Sequence, residues 1–256
     1  MIKITFLGTG TSQGIPVIGS DHPVSFSDDH RDKRLRSSIL IEYKDFNFVI
    51  DCGPDFRQQM LRTNCRKLDA IIFTHEHADH TTGIDDVRPY FFRQGKIPIY
   101  LHERVLNSLH NRFAYIFDPK QKYPGAPDFE VNLITKENDF QILGLNITPI
   151  ESVHYKLPVL GFRLGKFAYL TDVKTISDKE MLKLNGLDTL VINALRYESH
   201  PSHLNIEEAL EIIDQVKPKQ TFFTHISHNM GFHEEVCSNL PKSVSLAFDG
   251  LVLEVD

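Results

Sequence analysis

The chain has 256 residues, 41% of them hydrophobic and 24% charged, and a formal net charge of −6. That length supports one large domain with an ample core, the composition excludes a disordered chain, and the negative charge argues against a broad nucleic-acid surface, which draws on Lys and Arg. Apolar runs are strand-length, far below the roughly 20 residues of a membrane span, and the opening MIKITFLGTG lacks the layout of a signal peptide, so a cytoplasmic protein without membrane contact is expected.

From the N-terminus, IKITFL alternates as a strand. GTGTSQGIPVIG follows, rich in glycine. A phosphate-cradling loop must enter a helix, and Pro16 followed by Val-Ile-Gly-Ser offers none, so this segment reads as a loop crossing the top of a sheet. HRDKRLR (30–36) is the one locally basic run, read as a solvated loop of mixed charge in preference to an anion-facing lip. SSILIEY and FNFVID give two strands, PDFRQQMLRTN a helix, and AIIFT a buried strand. IPIYL is a strand and ERVLNSLHNRFAYIF a helix. FEVNLI, LNITPIES, LGFRLG and FAYLTD continue as strands.

SDKEMLKLNG reads as a helix capped by Ser177 and stopped by Gly186. LVINAL is a strand, and NIEEALEIIDQVK is a helix with Asn205 as its cap and Ile206, Leu210 and Ile213 on one face. QTFFTHI and HEEVCSNLP add a strand and a helix. SLAF and LVLEV then read as a closing hairpin turned by Asp249-Gly250. Strands cluster first and then alternate with helices in both halves, without a linker tract, which favours one mixed, sheet-rich layered domain over residues 1–256. Cys52, Cys65 and Cys237 form no CxxC pair, as suits a reducing compartment.

The chemistry concentrates at strand ends. AIIFTHEHADH (70–80) packs three histidines and two acids behind an apolar strand. Alternate residues of an extended segment project the same way, so His75 and His77 can grip one ion, with Asp79 and His80 placed for a second. The helical HExxH alternative fails because its fifth residue is Asp79 and the lead-in is a strand. Two ions need more donors than this loop supplies. His154, Asp172 and His225 each follow another apolar strand run, where loops gather at a sheet edge.

The run Thr74–His80 with His154, Asp172 and His225 resembles the metallo-β-lactamase superfamily and its HxHxDH motif, over essentially the whole chain from FLGTG through VIDCGPD to THISH. The resemblance implies an α+β fold, a four-layer αββα sandwich with the site at one edge. It implies one ion on His75, His77 and His154, a second on Asp79, His80 and His225, and Asp172 bridging both. Asp51 resembles the acid that steadies the motif loop. The β-lactam-opening branch commonly has Arg at the place of His80 and Cys at that of Asp172, and the flavin-linked diiron members use HxExD. GTGTSQGIP, RLRSS, LTD and THISH look most like the phosphodiesterases related to phosphoribosyl cyclic phosphate phosphodiesterase, with the transfer RNA 3′-processing ribonucleases as cousins. Members of that subgroup often hold a structural zinc on cysteines of the first loop. The loop here has no cysteine, which leaves it without that anchor.

The expected activity is therefore hydrolysis of a small cyclic or ribosyl phosphate diester by a hydroxide shared between two divalent ions, zinc or manganese, with iron also admissible. A departing alkoxide needs a proton. His200 and His203 both stand just before a helix; the resemblance to the processing ribonucleases, which place a histidine shortly before a helix rich in Glu and Ala, implies that role for His203, with His200 in support and Asp79 counted among the catalytic groups. His228 is set down as a group that orients a ligand or touches phosphate, whereas His30, His102, His110 and His233 read as surface or structural. The expected partner is a small phosphodiester; nucleic acid is disfavoured, and a homodimer is left open. A transfer RNA 3′-processing-type nuclease and a thioester hydrolase share the same ligands and stand as alternatives.

Overall fold

Alternation along the strands sorts the side chains into layers. The computed structural model describes residues 1–255. One sheet contains β1 (Ile2–Gly8), β2 (Ser38–Tyr43), β3 (Phe46–Ile50), β4 (Ala70–Ile72), β5 (Ile97–Leu101) and β6 (Phe129–Leu133). The other contains β7 (Phe140–Ile142), β8 (Leu145–His154), β9 (Leu157–Leu164), β10 (Phe167–Leu170), β11 (Thr175–Ile176), β12 (Thr189–Asn193), β13 (Gln220–Thr224) and β14 (Val244–Leu246). The last strand, β15 (Val252–Val255), returns to the first sheet beside β1. Helices are α1 (Phe56–Thr63), α2 (Ala78–Thr81), α3 (Arg88–Gln94), α4 (Glu103–Arg112), α5 (Ala114–Phe117), α6 (Asp178–Met181), α7 (Ile206–Val216) and α8 (His233–Asn239).

The first sheet runs β15-β1-β2-β3-β4-β5-β6 and the second β11-β8-β9-β10-β12-β13-β14, with β7 on β8. Each is antiparallel in one half and parallel in the other, from β3 to β6 and from β10 to β14. Parallel strands release their carboxyl ends at one edge, which is where α/β architectures build sites.

Period-two burial explains the packing. Ile39 and Ile41 face the layer between the sheets, where Phe6, Phe48 and Ile72 meet Phe162, Phe167 and Tyr169. Leu40 faces the other way, toward Phe56 and Met60 of α1. The outer face of the first sheet is covered by Tyr90 of α3 and by Val105 and Leu109 of α4. Ile206 and Ala209 of α7 and Val236 of α8 cover that of the second. This is the αββα sandwich that the sequence leads one to expect.

Three local readings are corrected. The closing segment is no hairpin: β14 pairs with β13 in the second sheet and β15 with β1 in the first, so the Asp249-Gly250 turn carries the chain between sheets. Asp249 is a buried hub, accepting from Thr9 Oγ1 at 2.8 Å and Leu35 N at 2.9 Å. The single helix expected over 103–117 breaks at Phe113, whose φ of −125° and ψ of 47° leave the helical region.

The basic run 30–36 is not a solvated loop. Arg34 is only 3% exposed; its guanidinium donates to Thr9 Oγ1 at 2.8 Å, to the Ala247 carbonyl and to His233 Nδ1 at 3.2 Å. Asp32, equally buried, accepts from the His233 backbone N–H at 2.8 Å and from Ser27 Oγ at 2.6 Å. A fork of fixed donors satisfied by three segments ties down the cysteine-free loop.

Arg34 donates to Nδ1, so His233 must be neutral there. Burial, with the Arg34 and Arg31 charges, pushes its pKa down to about 4. The unfolded chain takes the proton first, so the stability due to this contact is complete above the ordinary histidine value of 6.5 and is lost as pH falls toward 4. Urea unfolding of the wild type should lose stability across that window more steeply than His233→Gln, whose amide oxygen keeps the Arg34 contact but does not titrate. Parallel pH profiles would contradict this assignment.

Candidate metal centre

The site is built outward from Asp51, which follows β3 and is fully buried. Its carboxylate accepts from Thr74 N at 2.9 Å and Thr74 Oγ1 at 2.9 Å, and from His80 Nδ1 at 2.7 Å. A carboxylate on Nδ1 fixes the tautomer, so His80 Nε2 is turned inward, 3.2 Å from Asp79 Oδ2 and 3.2 Å from Asp172 Oδ2. The same device recurs. His75 Nδ1 lies 2.9 Å from Thr74 Oγ1, which donates its own proton to Asp51 and so accepts from the ring. His154 Nδ1 donates to the Ser202 carbonyl at 2.7 Å. Three imidazoles thereby present Nε2 lone pairs to one cavity.

The backbone aims the rest. Asp51, Asp172 and His225, each after a strand, have φ of 67°, 58° and 56°. Left-handed backbone is unusual for residues other than glycine and clusters at functional sites, where it turns a side chain off the strand path. Asp172 is thereby placed with Oδ1 3.3 Å from His225 Nε2 while Oδ2 faces His80. Gly53 allows the motif loop to pack close: a Cβ there would stand 2.0 Å from the Asp79 carbonyl oxygen.

Donor atoms of His75, His80 and Asp172 lie within 4.8 Å of one another, as do those of Asp79, His80 and His225, and those of His154, Asp172 and His203. His77 is more exposed, its ring 4.7 Å from that of His75 and 5.2 Å from that of His154. All seven expected ligand residues therefore converge, and His203 joins them. Its Nδ1 is 3.8 Å from Asp172 Oδ1, and its ring is 4.4 Å from that of His154. The His200 ring is 5.2 Å from that of His203, and its Nδ1 accepts from Ser202 N at 3.3 Å. His228 stands apart, edge-on to His22 at 5.1 Å.

Burial would lower the pKa of His80, but the Asp79, Asp172 and Asp51 carboxylates outweigh it and raise it well above 6.5. Burial would raise Asp172, yet His225 and His80 hold it well below the usual carboxylate range. His75 is driven far down by burial and then by His80, and His225 is lowered by burial. The neutral imidazoles of His75 and His225 and the ionised Asp172 are in the protonation states that metal ligation requires, whereas His80 carries a proton that an ion at its Nε2 would displace.

Do the residues fit an ion? The buried Nε2 atoms of His75 and His80 and Nδ1 of His203 have no hydrogen-bond partner. Orphaned polar atoms at this depth call for an explanation, and several aimed at one carboxylate are what cations would satisfy. The donors are nitrogen and oxygen without thiolate, a set that suits zinc, manganese or iron.

Sequence reasoning missed the supports around the loop. Arg104 of α4 donates to Glu76 Oε1 at 2.7 Å, which gives that acid a partner on α4. Arg112 donates to the Glu76 carbonyl at 2.8 Å and to Thr81 Oγ1 at 2.9 Å. Thr11, in the glycine-rich loop, places Oγ1 3.1 Å from His225 Nε2. No local pattern marks these residues, because each acts across a fold-dependent gap.

Residues 46–226 match the family described as a beta-lactamase superfamily domain. The chain belongs to the metallo-β-lactamase superfamily. Within it, the whole chain is 39% identical to a solved structure described as a new diphosphatase from the PhnP family, covering 98% of that chain with a TM-score of 0.93. Zn(2+)-bound PqqB from Methylobacterium extorquens shares the fold, with a TM-score of 0.82 at 15% identity over 99% of this chain and 100% of that one. An octanoyltransferase of Porphyromonas gingivalis is 38% identical over 100% of this chain, which spans only 52% of that protein's length. Among the described residues no helix is long and apolar enough to cross a membrane.

If Asp51 orients His80, Asp51→Asn should weaken metal retention about 10- to 100-fold while the protein stays folded. Competition with a chromogenic chelator, alongside circular dichroism, measures this. Unchanged affinity would sink the orienting role.

Proposed function

We propose that this superfamily member is a dinuclear metal-dependent phosphodiesterase acting on a small phosphate or diphosphate ester, with zinc or manganese as the working ion and iron also admissible. The observation that carries the reading is Asp172, a buried carboxylate with one oxygen toward His80 and the other toward His225. His75, His77 and His154 would hold one ion, Asp79, His80 and His225 the other, and Asp172 would serve both. The full-length similarity to a diphosphatase supports phosphorus as the centre attacked.

Bound divalent cations would supply Lewis-acid polarisation of a phosphoryl oxygen and acidify a water. Asp79 and Asp172 moderate the positive charge facing a diester monoanion. Asp51, Thr74 and Ser202 hold the imidazoles in their productive tautomers. Burial, followed by repulsion from His225, pushes His203 down to about 2, so at neutral pH its imidazole is neutral. Negative charge brought by an entering phosphate would raise that pKa, so that the ring takes up a proton from solvent as the substrate binds. The proton then passes from the ring to the departing alkoxide. His200 lines the approach to His203.

A small substrate fits better than RNA: the net charge is −6, and the basic run 30–36 is consumed by internal contacts. Acyl-thioester hydrolysis is the second reading, because the donor set would polarise a carbonyl equally well and one relative is named for acyl transfer. That name belongs to a protein about twice as long.

Turnover of bis(p-nitrophenyl) phosphate, a thioester and a chromogenic lactam separates the classes. Diester cleavage should dominate, cease on chelation and return with added metal. Asp172→Ala should abolish turnover and lower bound metal by elemental analysis; retention of both would exclude the shared-carboxylate role. His203→Ala should keep its metal while kcat falls roughly 10²- to 10⁴-fold. Metal loss in that variant would instead make His203 a ligand.

A further inference from the structure

Beside His77 and His154 opens a cavity of about 490 Å³, lined also by Tyr155, Lys156, Leu157, Pro201 and Ser202. Its size is within the range of small-ligand sites, about 300–1,000 Å³. The far wall is the β8–β9 turn, closed by the His154–Leu157 pair, so its two turn residues follow directly on a candidate ligand. Any group held between His77 and His154 extends naturally toward this turn.

Two features of the turn point to what the cavity takes. Tyr155 is 63% exposed and adopts a φ of 58°. Glycine or asparagine is the usual choice for such a backbone, so a large aromatic ring is an expensive occupant unless the ring is used. Lys156 is exposed, and its ammonium stands 5.3 Å from the Tyr155 ring centroid. Among the described residues no carboxylate lies within 4.0 Å of that ammonium, although many of the chain's other lysines have one. A cation without a carboxylate partner, lying over one face of an exposed aromatic ring, thus stands at the mouth of the candidate metal centre.

We infer that the Tyr155–Lys156 turn recognises the organic half of the substrate and that this half is a nucleoside, its base stacked on the Tyr155 ring and its phosphate charge met by Lys156. The inference rests on the phosphodiester reading above and narrows it to nucleotidyl esters. The walls are mostly apolar, from Tyr155, Leu157 and Pro201, as a stacked base or an acyl chain would want alike, but the two imidazoles and the ammonium beside them suit a ligand that also carries phosphate. A sugar phosphate alone would leave the ring face unused. Bases of every kind present a π face, so Tyr155 provides affinity without selecting among them.

The test is a binding titration on the metal-loaded protein, so it needs no turnover. AMP and ribose 5-phosphate share sugar and phosphate and differ by the base. Calorimetry should show AMP binding at least about tenfold more tightly. Tyr155→Ala should abolish that advantage and leave ribose 5-phosphate affinity unchanged, Tyr155→Phe should retain it, and Lys156→Gln should weaken both ligands. Equal wild-type affinities, an AMP advantage that survives Tyr155→Ala, or binding of neither ligand would overturn the inference. Failure of diester turnover would sink the proposed function instead, and the titration tells the two apart.

Discussion

The hydrogen bond from His80 Nδ1 to Asp51, 2.7 Å long and wholly buried, is the contact on which the rest of the centre depends. A carboxylate this deep is tolerable only when its lone pairs are filled, and removing one partner of such a pair commonly costs about 3–5 kcal/mol. Here Thr74 and His80 fill them, and in doing so they join the end of β3 to the end of β4 and to α2. The Cys52 N–H donates to the His80 carbonyl at 2.8 Å, and the Gly83 N–H to the Cys52 carbonyl at 2.9 Å. The motif loop is therefore fixed by its backbone as well as its side chains, and the inward direction of His80 Nε2 follows from both.

The two sheets contribute unequal parts. The first supplies the compact motif, in which sequence neighbours become spatial neighbours. The second supplies His154, Asp172 and His225 one at a time, from the ends of β8, β10 and β13. Single residues delivered from separate strands have no local loop to fix them, which is where left-handed backbone at Asp172 and His225 matters. Each such conformation costs of order 1–3 kcal/mol. The apolar layer between the sheets, with Phe162, Phe167 and Tyr169 buried against Phe6 and Phe48, offsets that cost.

What was legible in the chain divides along the same line. Strand-end histidines and acids could be read because apolar runs set strand ends and the donors follow at once; all seven meet. A mixed, sheet-rich layered domain followed from strand periodicity and from helices such as α7, whose Asn205–Glu208 capping box is local, whereas the αββα order came from the family resemblance. The burial of Arg34 was invisible, because its partners Thr9, Ala247 and His233 are remote in sequence. The passage of residues 247–251 between sheets was invisible for another reason: Asp-Gly turns look alike whether or not the flanking strands pair. Arg104 and Arg112 gave no sign, since a basic residue on an amphipathic helix ordinarily faces water. Tyr155 went unnoticed because an aromatic residue next to a strand end reads as strand.

Charge explains why the donors come as this mixture. Asp51, Asp79 and Asp172 all face His80, and together they hold a proton on an imidazole that burial alone would strip. A proton on His80 and a cation at its Nε2 therefore answer the same need, neutralising acids that could not otherwise lie so close. An arginine in this position would satisfy the acids permanently and leave no nitrogen for an ion, since its charge cannot be discharged near neutral pH. Histidine alone can hand the role over: it keeps Nδ1–H on Asp51 and gives up the other proton. The surrounding imidazoles, lowered by burial, add lone pairs without adding charge. The centre is thus an array of acids whose balance is completed by whichever positive species occupies the middle, and the fold's contribution is to hold the donors around that place.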